Sequence, residues 1–186
     1  DTIDSDFDHF EKEKSLSKSE SGMHNKEQQE LRTFFALNPD KNGVYLNYGA
    51  GRWSNSVQQL RAQGWNVYAY EPHGTASESV SDDWLIRSPD QLHFMRFDGI
   101  FSNNVLEHLR YPVQELQYME GMLREGGLMA HATPCFEYLY EYTRFHLYFF
   151  TGKSKYLLMQ KASLQMINEV NDGDYICRVM KNVANF

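Results

Sequence analysis

Residues 44–60, "VYLNYGAGRWSNSVQQL", carry the reading that decides the fold. The first five are a short apolar run of strand type, and Trp53, Val57 and Leu60 then recur at helical spacing until Gly64 stops the run. Between them Gly49-Ala50-Gly51 makes a tight turn. Strand, glycine turn and helix in that order bring bare backbone close to a bulky ligand at the N-terminus of a helix.

Working outward, the same rhythm continues. Upstream, Leu31, Phe34, Phe35 and Leu37 predict a helix over 26–37, stopped by Asn38-Pro39-Asp40 and Asn42-Gly43. Residues 1–30 are polar and charged, with Phe7 and Phe10 as large apolar anchors, and read as a partly disordered N-terminal arm before a domain of residues 31–186. Downstream, strands are predicted at 66–72, ended by Pro72, at 84–87, at 97–104 and at 128–134. Pro112 opens a helix carrying Val113, Leu116, Met119, Met122 and Leu123 ahead of Gly126-Gly127. A further helix over about 154–163 precedes "INEV" and "YICRVMK", which flank Asn171-Asp172-Gly173-Asp174 as the arms of a hairpin. The fold class expected is α/β, a doubly wound, mostly parallel sheet ending in an antiparallel hairpin, with ligands at the carboxyl ends of the strands.

Bulk properties narrow the function. The 186 residues suit one domain, and 41% hydrophobic with 23% charged residues is a globular balance. A net charge of -7 with scattered Lys and Arg argues against a nucleic-acid partner. Two cysteines, Cys135 and Cys177, with no CxxC give neither a disulfide framework nor a thiolate zinc site and favour a reducing, cytoplasmic setting. No apolar run has the length of a membrane span. The chain opens at Asp1 without an initiator Met, the appearance of a processed product or of a piece of a larger polypeptide with other domains.

Glu71 lies twenty residues past Gly51, where a carboxylate accepts from both hydroxyls of a ribose. The third glycine of GxGxxG falls on Ser54, so the pattern indicates an adenosine cofactor and leaves its identity open. A nicotinamide-dependent oxidoreductase satisfies Gly49, Gly51 and Glu71 alone.

"YLNYGAG", "NVYAYEP", "FDGIFSNNVLEHL" and "MLREGGLMAHATP", followed by "RFHLYFFTGKS" and the terminal hairpin, stand in the order and spacing of a known family. Over roughly residues 30–181 the chain resembles the class I S-adenosylmethionine-dependent methyltransferases. The resemblance implies a Rossmann-like methyltransferase fold with a seven-stranded sheet. It implies that Gly49, Ala50 and Gly51 let the backbone approach the methionyl part of the cofactor. Glu71 would then hold the ribose hydroxyls, Pro72 lie against the adenine, and Asn103 and Asn104 line the methionine side. Two positions depart from the family: Asn47 stands where an acid is usual, and Trp53 occupies the third glycine position. These departures favour a rival reading, a non-catalytic cofactor-binding module of a multidomain protein.

The expected activity is methyl transfer from S-adenosylmethionine to a small-molecule or saccharide acceptor, at oxygen. Such a displacement needs alignment and exclusion of water, and a base only where the acceptor is an unactivated hydroxyl or a protonated amine. Glu107 and His108 follow the fourth strand, where the family faces its acceptor; His108 is the first base candidate, and local capping is the alternative. His146, in a segment also holding Tyr138, Tyr140, Tyr142, Arg144 and Tyr148, is the second. His131 and Cys135 read as packing residues near the pocket rim. Relatives that hold a divalent metal use Glu-x-x-Glu-His, which corresponds to Asn104, Glu107 and His108 here; with one carboxylate missing, no metal is expected.

Overall fold

The computed structural model describes residues 20–51, 54–73, 83–137 and 145–183. Trp53 and the candidates Tyr138, Tyr140, Tyr142 and Arg144 lie outside them, as do residues 1–19 of the expected arm.

Helix α1 (Glu20–Ala36) opens the described chain and ends where Asn38 turns left-handed at φ 51°. Asn tolerates that conformation better than most residues, and Pro39 then forbids a further helical turn. Glu30, Thr33, Phe34 and Leu37 are buried, the spacing of one helix face. The expected boundary between residues 30 and 31 falls inside this helix.

Strands β1 (Val44–Tyr48), β2 (Asn66–Tyr70), β3 (Leu85–Ile86), β4 (Phe97–Asn103), β5 (Leu123–Ala132), β6 (Leu164–Asn171) and β7 (Ile176–Asn182) form one sheet in the order β3-β2-β1-β4-β5-β7-β6. The pairs β1–β2, β1–β4, β2–β3 and β4–β5 are parallel, while β7 runs antiparallel to both β5 and β6. The expected seven-stranded sheet with a terminal hairpin is therefore present. Helices α2 (Asn55–Ala62), α3 (Pro89–Leu92), α4 (Pro112–Gly121) and α5 (Ser154–Lys161), with single helical turns at Leu106–His108 and Pro134–Phe136, complete the described elements.

Alternate side chains along the central strands enter opposite cores, which is why β1 and β4 are buried on both faces. Tyr45, Phe101, Ala130 and Val179 join Phe34, Leu37, Val57 and Leu60 beneath α1 and α2. Leu46, Ile100, Met129 and Met180 join Leu116, Met119 and Leu158 on the face of α4 and α5. The order of strands reverses between β1 and β4, and this switch point sets the position of the site.

Two local readings change. β5 starts at Leu123, opposite Phe97, and resumes pairing at Leu128 opposite Gly99, so Gly126-Gly127 forms a bulge rather than the end of a helix. The short α3 was not expected, although Ser88 caps it by accepting from the Asp90 N–H while Gln91 completes a capping box.

The β6–β7 turn holds Gly173 at φ 94° and is closed by Asp172 Oδ1, which accepts from the Tyr175 N–H at 2.9 Å. It is fastened to α1: Thr33 Oγ1 and Tyr175 Oη are 2.8 Å apart, and the Arg32 guanidinium lies 4.1 Å above the Tyr175 ring and 2.6 Å from Asp172. The leading helix and the last hairpin thus brace the same side of the sheet.

Candidate functional site: a glycine turn and a histidine pair

The turn after β1 hangs on the end of β2. The N–H groups of Gly49 and Ala50 both donate to the Tyr70 carbonyl, at 2.8 and 3.1 Å. Gly49 and Gly51 have φ of 75° and 73°, a region costly for side-chain-bearing residues, and a Cβ on Gly49 would stand 2.6 Å from Val105 Cγ2. The turn therefore requires glycine at position 49 for both conformation and space.

Glu71, one residue beyond β2, turns its carboxylate to this loop. Its Oε2 accepts from the Gly51 N–H at 2.9 Å and its Oε1 from the His73 N–H at 3.1 Å. The predicted glycine–carboxylate pair is thus in direct contact. Pro72 is exposed beside it. Across the switch point, Asn103 ends β4 as a buried residue, and Asn104 takes a left-handed φ of 55° with its N–H donating to the Ala132 carbonyl at 2.8 Å.

Asn47 is buried at the other side of the turn, where α1 places the buried Glu30 beside it. Glu30 Oε2 lies 3.5 Å from Asn47 Nδ2 and accepts a short hydrogen bond from Ser56 in the first turn of α2. Burial pushes the Glu30 carboxyl above the usual carboxylate range, opposed by Lys26, Ser56 and Asn47. Lys26 Nζ stands 3.1 Å from the position of a Cβ on Gly51. Neither residue was among the predicted site residues, though an acid within the buried stripe of α1 is the signal that could have found Glu30. Asn47 Oδ1 and Asn103 Nδ2 are buried and make no hydrogen bond among the described residues. A ligand carrying an amino-acid moiety and a ribose fits this arrangement: orphaned polar atoms, a carboxylate and a cation surround a turn that side chains cannot occupy.

Beyond β4 and β5 the second group of predicted residues converges. Glu107 is fully buried in a helical turn at 106–108. His108 Nδ1 is 2.9 Å from the Phe145 carbonyl; a carbonyl only accepts, so Nδ1 carries the proton and Nε2 is the acceptor nitrogen of the neutral ring. The His108 and His146 ring centroids are 5.0 Å apart. His146 Nδ1 lies 3.4 Å from Cys135 Sγ. Burial, reinforced by Glu107, pushes the Cys135 thiol up to about 12. His131, read as a packing residue, is entirely buried: its Nδ1 meets Ser102 Oγ at 2.7 Å and desolvation lowers it to about 3, which keeps the ring neutral.

Residues 22–169 match the family model described as a methyltransferase domain. No curated protein matches the chain by sequence. Among solved structures, it is similar to the mitomycin 7-O-methyltransferase MmcR at 13% identity and a TM-score of 0.58, over 83% of this chain and 53% of that one. A methyltransferase of calicheamicin biosynthesis in its SAH-bound form gives 13% identity and a TM-score of 0.62, over 84% and 54%. The 1,6-didemethyltoxoflavin-N1-methyltransferase of Burkholderia thailandensis, with S-adenosylhomocysteine bound, gives 18% and 0.61, over 83% and 76%. The chain spans about half the length of the first two. Among the described residues no helix is long and apolar enough to cross a membrane. With a family-model match over residues 22–169, most of its length, the chain belongs to the methyltransferase domain family, and its fold is similar to that of these solved methyltransferases.

Proposed function

We propose that this chain binds S-adenosylmethionine across the carboxyl ends of β1, β2 and β4 and transfers its methyl group to an oxygen of a small-molecule or saccharide acceptor. The observation that carries the reading is the Glu71 carboxylate seated 2.9 Å from the Gly51 N–H, beside the buried, unpartnered Asn47 Oδ1 and Asn103 Nδ2. The bound sulfonium supplies an activated methyl group, so the protein has chiefly to align and to exclude water.

Glu71 accepts from the ribose hydroxyls, Gly49, Ala50 and Gly51 admit the methionyl chain, and the exposed Pro72 ring lies against the adenine. Glu30 takes the place of the acid missing at Asn47: its carboxylate and the Asn47 carbonyl oxygen receive the methionyl ammonium, and Lys26 receives the carboxylate. Asn103 and Asn104 line the methionine side. His108, with Nε2 as its acceptor nitrogen, withdraws the acceptor's hydroxyl proton, and His146 stands beside it as the second base. Exposed Tyr111 and Tyr148 rings near this end of the sheet offer flat surface with polar tips, suited to a sugar or an aromatic acceptor.

Glu71→Ala is expected to weaken S-adenosylhomocysteine binding by about 1–3 kcal/mol in calorimetric titration, the worth of hydrogen bonds to a charged group. Unchanged affinity removes Glu71 from the ribose. Glu30→Gln keeps the shape and deletes the charge, and should weaken S-adenosylhomocysteine by about 1.5–3 kcal/mol while leaving adenosine, which has no ammonium, as it was. An equal loss for both ligands would make Glu30 a structural residue of α1. The acceptor class is tested with isotope-labelled methyl donor and a panel of saccharides, phenols and amines; label entering amines alone contradicts oxygen transfer.

A further inference from the structure

Cys135, read in sequence as packing, belongs to a convergent set of ligating groups. One ligand atom each from Glu107, Cys135 and His146 lie within 4.8 Å of one another, contributed by three separate segments. The segments are fastened together. The Leu147 N–H donates to the Glu107 carbonyl and the Phe150 N–H to the Cys135 carbonyl, both at 2.7 Å, and His108 Nδ1 holds the Phe145 carbonyl. Thr133 Oγ1 accepts from the Cys135 N–H at 3.1 Å and fixes the backbone of the thiol-bearing turn.

From this geometry we propose that Glu107, Cys135 and His146 form a site for a single transition-metal ion of zinc type, with a fourth position open toward the acceptor end of the sheet. The ligand set shares Glu107 with the Asn104, Glu107 and His108 positions, where a missing carboxylate argued against a metal, but draws its sulfur and imidazole from Cys135 and His146. A sulfur and an imidazole with one carboxylate select zinc-like ions over magnesium or calcium, which take oxygen ligands. Three protein ligands with a vacant fourth position is the arrangement of zinc sites that act on a bound oxygen. Tetrahedral zinc, with bonds of about 2.0–2.3 Å, separates its ligand atoms by roughly 3.3–3.8 Å. The Cys135–His146 pair at 3.4 Å already has that spacing, and Glu107 completes the set with a short side-chain movement. On binding, the Cys135 thiol proton is released to solvent and the sulfur ligates as thiolate. With the metal bound His146 is a ligand and His108 alone serves as the base; the site does not depend on which acceptor is methylated.

The test uses the full chain stripped of metal by a chelator. Zinc titration should give one equivalent bound per chain, and cobalt substitution should give the intense near-ultraviolet absorption of a thiolate-to-cobalt bond. Cys135→Ser should abolish that band, and both Cys135→Ser and His146→Ala should weaken zinc by more than the roughly 10–100-fold that loss of an outer partner costs. Cys177→Ser should change neither, since Cys177 lies in β7 opposite Ala132 within the sheet. Circular dichroism and S-adenosylhomocysteine titration of each variant show that the fold and the cofactor site persist. If Cys135→Ser does not fold, the half-buried His146→Ala decides. Absence of the cobalt band in the wild-type chain, or zinc affinity unchanged in His146→Ala, overturns the site; retained S-adenosylhomocysteine binding in that case leaves the methyltransferase reading intact.

Discussion

Unfolding in urea should show Phe34→Ala losing about 3–5 kcal/mol, the usual cost of deleting a fully buried aromatic side chain. Phe34 is the peg by which α1 enters the sheet. Its ring is fully buried, edge-on to Tyr45 and Trp65 with centroids 5.2 and 5.1 Å away and tilted against Phe101 at 5.4 Å. Rings in these arrangements add to the burial of area, and a cavity among these three aromatics, two of them on rigid strands, collapses poorly. Against a total stability of about 5–15 kcal/mol, the loss is a large fraction of the fold. Phe35 on the same helix is 48% exposed, so Phe35→Ala is the control and should cost far less. Equal, small losses for the two variants would mean that α1 is not docked as described. The consequence reaches the site, because α1 also carries Glu30 and Lys26 to the glycine turn.

His131 should make stability depend on pH in a defined direction. The imidazole is neutral and fully desolvated in the folded chain, where it is lowered to about 3, while in the unfolded chain it titrates near 6.5. Between those values the unfolded state binds the extra proton, so this contribution to stability is complete above about pH 6.5 and is lost as pH falls toward 3. The slope approaches 1.4 kcal/mol per pH unit, summing to about 4–5 kcal/mol over the whole window and about 2 kcal/mol between pH 6.5 and 4.5. His131→Gln removes the titration and keeps a polar partner for Ser102. Its unfolding free energy should therefore fall less steeply with acid than that of the wild-type chain. Parallel profiles for the two proteins would show that His131 is reached by water.

Much of this architecture was legible because it is written in local pattern. The run Val44–Tyr48, the glycines after it and the spacing of Val57 and Leu60 announce strand, turn and helix without tertiary help. Asn171-Asp172-Gly173 announces the last hairpin in the same way. Glu71 could be paired with Gly51 by spacing alone, and the two meet at 2.9 Å.

What escaped the sequence depends on contacts between distant segments. Asn47 looks like a weakened cofactor residue when read along β1, yet Glu30 from α1 and Ser56 from α2 close around the same point. No periodicity links positions 30, 47 and 56. Cys135 likewise reads as a small buried residue until the chain folds His146 and Glu107 onto it. The early start of β5 was hidden because its bulge uses two glycines that resemble a helix stop.

The central claim, that an adenosyl amino acid lies on the glycine turn with its ribose held by Glu71, is tested most directly by calorimetric titration of the full chain. S-adenosylhomocysteine and NAD are the two ligands, against wild-type and Glu71→Ala proteins. The account predicts one molecule of S-adenosylhomocysteine bound per wild-type chain, markedly weaker binding to Glu71→Ala, and no heat of binding from NAD. Saturable NAD binding, or no binding of either ligand by the wild-type chain, would contradict it.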